Sequence, residues 1–463
     1  MLVQNRKDAA VSGAILAAAL LFYLFFAVYD GAVICVDSPS YISMDISREP
    51  LYPSFLALLR AVFGESGDFY LTVAAFLQSI LAAVAAWSLA DFLRREFKLP
   101  GVMGFLLLAM PLATSLLCRF AARRASMYSN SILTEGIACS LFLIFFRCLL
   151  TYCLHPKTDR LVWTCLLSFL LIATRKQMYI SLVLLMIGMG YVTWKGKCYQ
   201  RGLFAICGCS VLIFLGNTLF DCSYNYALRG SFSGHSSDNR FLATMVFYNA
   251  ERQDGEAIRD PQLRALFEEI YDACEAGGYL KGSAGSGWHA RVGHFEEHYD
   301  NIQIDTMWRM IREYVYETEE GAPSYLEERV DAMTQEMIDA VLPRVKWRLA
   351  GTFLDSILVG LVTTVAQCTP VLTLYAAVIY PVYLGLLLWN LRKNGPDGLS
   401  LLGVLTLLSV TGNVAAVSAF IFCQTRYTIY NMPLFYCSLL LLLWNVLPES
   451  FRRRLQTVKR LSD

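Results

Sequence analysis

The chain has 463 residues, 56% of them hydrophobic, a mean hydropathy of +0.46 and a formal net charge of +1. Soluble domains average about 45–50% apolar residues, so the long uncharged runs here exclude a soluble globular enzyme, and near-neutrality offers no field for nucleic acid. Most of the 14 cysteines sit inside apolar runs, as Cys139, Cys148 and Cys165 do, where they act as small apolar side chains. Without a CxxC pair, neither a zinc site nor a disulfide framework is indicated, and a bridge between Cys222 and Cys274 is disfavoured.

In chain order, Arg6 and Lys7 precede an apolar run at 9–29 with no small-residue cleavage site after Tyr29, which predicts an uncleaved anchor. Further windows follow at 69–91, 101–118, 130–152, 161–174, 178–194, 202–220, 371–391, 399–422 and 430–448. A span needs about 20 residues, so the expected fold is an all-α polytopic membrane protein with ten transmembrane helices, or eleven if 349–367 also crosses. That stretch is apolar but carries Asp355. Counting it would move the basic tail at Arg452 to the other side, so it is predicted to be interfacial or re-entrant.

Basic residues set the orientation. With the N-terminus in the cytoplasm, that side receives Arg94, Arg95, Lys98, Lys157, Arg160, Lys195, Lys197, Arg201, Arg392 and Lys393 as well as both termini. The loop at 30–68 and the block at 221–347 then lie outside. That block holds 23 of the 38 acidic residues and 12 of the 39 basic ones, so it reads as a soluble acidic insertion. It divides the chain into an N-terminal membrane module (1–220), the extracytoplasmic insertion (221–347) and a C-terminal membrane module (348–463). Leu263, Leu266, Phe267, Ile270 and Tyr271 recur at helical spacing, as do Met307, Met310, Ile311 and Val315. Gly277-Gly278 and the stretch from Gly282 to Gly287 break those helices.

This topology gathers charge on the outer face. Asp37, Tyr41, Asp45 and Arg48 come from the first loop, inside Asp37-Ser-Pro-Ser-Tyr41 and Arg48-Glu-Pro-Leu-Tyr-Pro53. Arg119, Arg123 and Arg124 come from 118–130, and Glu135 lies one turn inside the next span, where a carboxylate is costly unless used. Arg175, Lys176 and Gln177 occupy the following outer turn, and Arg426 and Tyr427 the last. Short outer loops are normally poor in Arg and Lys. A phosphate ligand accounts for the departure, because the planar guanidinium matches phosphate oxygens and stays charged near lipid. Bland readings compete throughout: Asp37 as a solvated loop acid, Arg48 as a headgroup anchor by snorkelling, and the 119–124 arginines as nonspecific lipid contacts.

The first loop resembles that of the GT-C glycosyltransferases, membrane enzymes that take sugars from polyprenyl-phosphate lipids, in particular the protein mannosyltransferase and lipid A aminoarabinose transferase group. Ser131-Ile-Leu-Thr-Glu135 is similar to the acidic start of their fourth span, Thr174-Arg-Lys-Gln177 to their basic outer turn, and Arg426-Tyr427 with Pro433 to the motif before their last span. The resemblance covers roughly the first 180 and the last 60 residues. It implies Asp37 as catalytic base, Glu135 as a second catalytic acid, and Tyr41, Asp45, Arg48, Arg123, Arg124, Arg175, Lys176, Arg426 and Tyr427 around the donor phosphate. It also implies a polyprenyl-phosphate sugar as donor, a hydroxyl or amine on a glycan, lipid or protein as acceptor, and a plasma-membrane location. Asp37 is followed by Ser38 where relatives often carry a second acid. No metal ligand is assigned, and use of a divalent ion stays open.

The other function classes are a transporter or flippase of lipid-linked sugars and a structural membrane protein with a binding ectodomain. A transporter is expected to show broken helices in two matched halves, and none is visible. His294-Phe-Glu-Glu-His298, with His289 nearby, fits an H-x-x-E-H zinc-peptidase pattern, but no third ligand can be singled out and surface histidines are favoured.

Overall fold

A computed structural model describes residues 2–121, 127–235, 238–448 and Arg452. Its described residues are helical, with one isolated parallel bridge, between Val33 and Ser131, in place of a sheet. Nine of the described helices are long and apolar enough to cross a membrane, and the protein is a helical multi-pass membrane protein. With no water in a bilayer core, a helix is the fold that satisfies every backbone group within one segment.

The N-terminal helices are α1 (Leu2–Asp30), the short α2 (Ser38–Ile42), α3 (Leu51–Phe63), α4 (Phe69–Glu96), α5 (Gly101–Ala121), α6 (Glu135–Leu154), α7 (Thr158–Thr174), α8 (Tyr179–Gly196) and α9 (Tyr199–Arg229). The helices α10 (Asp238–Asn249), α11 (Pro261–Ala276), α12 (Trp288–Asp300) and α13 (Arg309–Thr318) follow. The chain closes with α14 (Pro323–Val365), α15 (Pro370–Asn394), α16 (Gly398–Ser418), α17 (Thr425–Thr428) and α18 (Met432–Val446). Two predicted windows, 161–174 and 430–448, form helices of 17 and 15 residues, shorter than the nine.

Backbone proximity divides the chain into two units. The first comprises Met1–His235, Thr364–Asn413 and Thr425–Asp463; the second comprises Ser236–Thr363 and Val414–Gln424. In the first unit α4 is central and packs against α1, α5 and α6. Its buried face carries Ala74, Ala75, Ala82, Ala83, Ala86 and Ala90, small side chains that let helix axes approach where lipid supplies no hydrophobic drive. By contrast, α9 and α15 expose Leu212, Leu215, Leu219, Leu374 and Val378, the surface that lipid solvates.

The second unit buries Phe247, Phe267, Ile270, Phe295, Ile302, Ile311 and Val315. Helix α11 begins at Asp260, whose carboxylate accepts from the Gln262 and Leu263 N–H groups, with proline at the first position. The stretch at 349–367, predicted to be interfacial or re-entrant, is helical as far as Val365. Residues 349–365 continue α14 without a turn, and the helix qualifies as a candidate span from Tyr325 to Val365. A re-entrant hairpin needs a break, and neither Gly351 nor Gly360 adopts positive φ. Asp355 is matched by Arg291, which donates to both its oxygens at 2.6 and 2.8 Å.

Candidate functional site

The first unit holds one end of a stitched pair of loops. Gly31 (φ 66) turns the chain out of α1. Val33 N–H then donates to Asn130 O at 3.0 Å, and Ile132 N–H donates to Val33 O at 2.9 Å. Ser38 adds a third stitch, its hydroxyl donating to Ile132 O at 2.8 Å while accepting the Cys35 N–H at 2.7 Å. These bonds hold Asp37, at the start of α2, beside Glu135, the first residue of α6.

Three guanidiniums from distant sequence meet those two carboxylates. Arg48 donates to Asp37 Oδ1 at 3.1 Å, to Ser40 Oγ at 2.8 Å and to the Tyr41 hydroxyl at 3.3 Å. Arg426 donates to Asp37 Oδ2 at 2.9 Å. Its Nε lies 3.1 Å from Glu135 Oε1 but is not aligned for a hydrogen bond, and this buried N–H has no other partner among the described residues. Arg175 donates to Glu135 Oε1 at 2.7 Å and to the Tyr430 hydroxyl at 3.4 Å. The order Arg48, Asp37, Arg426, Glu135, Arg175 therefore alternates in sign and carries one surplus positive charge.

Aromatic rings frame the chain of charges. The Arg48 guanidinium lies 4.6 Å from the Tyr41 ring centre, and Tyr427 faces both Arg175 (4.9 Å) and Arg426 (5.1 Å). Tyr41 packs edge-on against Tyr52, whose hydroxyl donates to Gln78. On the opposite side, Gln177 donates to Asn413 Oδ1 and to Tyr427 O, and Asn413 also donates to Tyr427 O, all at 2.7–2.8 Å. These amides fix α17, and with it the origin of the Arg426 side chain.

Accessibility separates the two acids. The Glu135 side chain is 5% exposed and that of Asp37 is 27% exposed. Burial alone pushes the Asp37 carboxyl up, but the Arg426 and Arg48 charges outweigh it and hold the group below its ordinary value. Asp37 is thus the ionised, approachable acid, and Glu135 the sealed one between two arginines.

The remaining predicted residues lie elsewhere. Asp45 sits in an exposed turn and accepts from the Ser47 N–H and hydroxyl. Lys176 lines a neighbouring cavity, and its backbone N–H donates to Glu49 at 2.8 Å. Arg119 pairs with Asp30 and faces Phe26 and Tyr29. Arg123 and Arg124 lie outside the described residues. His294 Nε2–H donates to Gly278 O at 3.0 Å, and the His298 ring lies tilted against Tyr279. Among the described residues, no group of three His, Cys, Asp or Glu side chains could hold a metal ion, and Cys222 and Cys274 are free thiols.

Sequence reading missed Ser40, Glu49, Asn413 and Tyr430. Asn413, a buried amide inside an apolar helix, had a signal of its own: polar residues in spans are costly and reserved for use. Compared with known proteins, the chain matches no family model, no curated protein and no solved structure.

Proposed function

We propose that the protein is an integral-membrane glycosyltransferase of the GT-C kind, which moves a sugar from a polyprenyl-phosphate lipid to an acceptor hydroxyl or amine on the outer face of the plasma membrane. The carrying observation is the alternating chain from Arg48 to Arg175, built from four separate parts of the sequence. Buried ion pairs are poor stabilisers, because desolvation offsets much of their attraction, so five charges at one membrane boundary call for a ligand. An entering phosphate competes with Asp37 for Arg48 and Arg426. Those two guanidiniums meet it, and the surplus positive charge stabilises it as it leaves.

Asp37, released from its arginines by the donor, takes the acceptor proton as the new glycosidic bond forms at the anomeric carbon and the bond to phosphate breaks. Glu135 contributes by aiming Arg175 and Arg426. No step in this route requires a metal ion, and the donor arrives already activated. The test is an assay of purified protein in lipid vesicles with a panel of lipid-phosphate sugars, reading release of the lipid phosphate. Transfer from at least one donor is expected. Turnover with none of them, while the protein stays folded, would end the transferase reading.

A further inference from the structure

Beside the ion chain, still within the first unit, lies a cavity of about 390 Å³ whose walls come from the start of α3, the end of α7, the start of α8, α9 and the segment after α9. Asp37, Arg48, Glu135 and Arg426 are absent from its lining. It is joined to the ion chain through the backbone: Glu49 follows Arg48, Lys176 follows Arg175, and the Lys176 N–H donates to Glu49.

Its polar groups are unusual in kind. Asn217 is 7% exposed, and its amide donates to Ile213 O within α9, but the Asn217 Oδ1 is buried without a partner among the described residues. His235 folds back onto α9. Its Nδ1 lies 2.5 Å from Asp221 Oδ2, and its N–H donates to the same oxygen at 3.1 Å. With Nδ1 engaged by Asp221, Nε2 is the ring nitrogen left for a ligand, and it has no hydrogen-bond partner among the described residues. Glu49 keeps a second carboxylate oxygen after accepting Lys176 N–H. The cavity therefore presents Asn217 Oδ1 and a Glu49 carboxylate oxygen as acceptors, a match for a ligand rich in O–H groups. With Asp221 taken up by His235, Glu49 opposes an anion and Lys176 opposes a cation, while Tyr179 and Phe214, with ring centres 6.4 Å apart, supply apolar faces for the C–H surface of a sugar ring.

We infer that this cavity is a binding site for a neutral carbohydrate, with Asn217 Oδ1 and Glu49 accepting its hydroxyl protons and the His235–Asp221 pair as a further polar contact. That the bound sugar is the acceptor of transfer rests on the transferase reading above; its binding does not.

The test is saturation-transfer NMR on the full-length protein in nanodiscs prepared without glycosidic detergent. The probes are the methyl glycosides of glucose, galactose, mannose and N-acetylglucosamine, with glucosamine as a cationic control. At least one neutral glycoside is expected to give a signal that falls fivefold or more in Asn217→Leu. Thr218→Phe, at an exposed lining position, fills the same space without removing a buried group and is expected to act alike, with unchanged melting midpoint. Leu219→Ala, one residue on and facing outward, leaves the signal intact. No signal from any neutral glycoside, a signal from glucosamine alone, or a signal indifferent to both variants would overturn the site. Glycoside binding in a protein that transfers no sugar from any lipid donor would uphold the cavity and sink the transferase reading; transfer without glycoside binding would do the reverse.

Discussion

Asp37 carries the most specific expectations. Asp37→Asn keeps the size of the side chain but loses the base, and transfer is expected to fall by about 10²–10⁴-fold, the usual worth of a general base, while membrane insertion and expression persist. Full activity in that variant would remove Asp37 from the chemistry. Its charge also has a pH signature. The folded carboxyl is held below its ordinary value of 3.8 by Arg426 and Arg48 against the opposing pull of burial. Its pairing therefore stabilises the fold fully above that value and is lost as pH falls through the lower, folded one. The melting-temperature gap between wild type and Asp37→Asn is expected to be flat from pH 5 to 8 and to close below pH 4; a gap that closes near neutrality would mean another group titrates. Arg426→Ala leaves two carboxylates facing one another, and a loss of about 3–5 kcal/mol is expected by thermal or denaturant unfolding. Arg426→Lys is expected to recover little of the phosphate binding, since one ammonium cannot replace a planar fork that serves two partners. The arginines were legible in the sequence because short loops assigned to the outer face are expected to be poor in Arg and Lys. Their pairing was not, because no spacing rule links residue 37 to residue 426.

At the level of elements, the apolar windows translated into helices with shifts of a few residues at their ends. The departures have local causes. Glu135 starts α6, so the helix begins five residues after the apolar window does; an acid in the first turn is favoured by the helix dipole. Residues 349–365 continue a 43-residue helix, and their single carboxylate, Asp355, is matched by Arg291. Packing between α4 and α6 depends on Gly136. A Cβ placed there would come within 2.5 Å of Gln78 Nε2, and that buried amide bonds Ser129 O and Ser131 O and receives the Tyr52 hydroxyl. Gly136→Val is therefore expected to destabilise the protein by about 1–3 kcal/mol and to disturb the loop that carries Asp37. Unfolding by denaturant checks the first part. An unchanged midpoint would show that Gln78 can move aside at no cost.

Across the whole molecule, each of two long helices contributes to both units: α14 leaves the second unit after Thr363, and α16 leaves the first after Asn413. Arg426 stands two residues into the stretch that returns at Thr425, so α17 takes its place beside the amides of Gln177 and Asn413. The proposed orientation puts the block at 221–347 outside the cytoplasm. Protease added to intact cells is expected to cut within that range and to spare the linker near Arg201. The opposite pattern would reverse the topology and place the ion chain on the cytoplasmic face.

Sequence by itself determined the class of the protein, because membrane insertion is decided by apolar length and loop charge, and both are local quantities. It also marked Asp37, Arg48, Glu135, Arg175 and Arg426, since charge at a bilayer boundary is costly wherever the rest of the chain lies. Tertiary structure decided which of them touch, that Asp45 and Lys176 turn to other partners, and that Asn217, Asp221 and His235 share one cavity with Glu49. Those outcomes depend on helix packing and on hydrogen bonds such as Val33 to Asn130 and Gln177 to Tyr427, which join residues about 100 and 250 positions apart and leave no periodicity in the sequence.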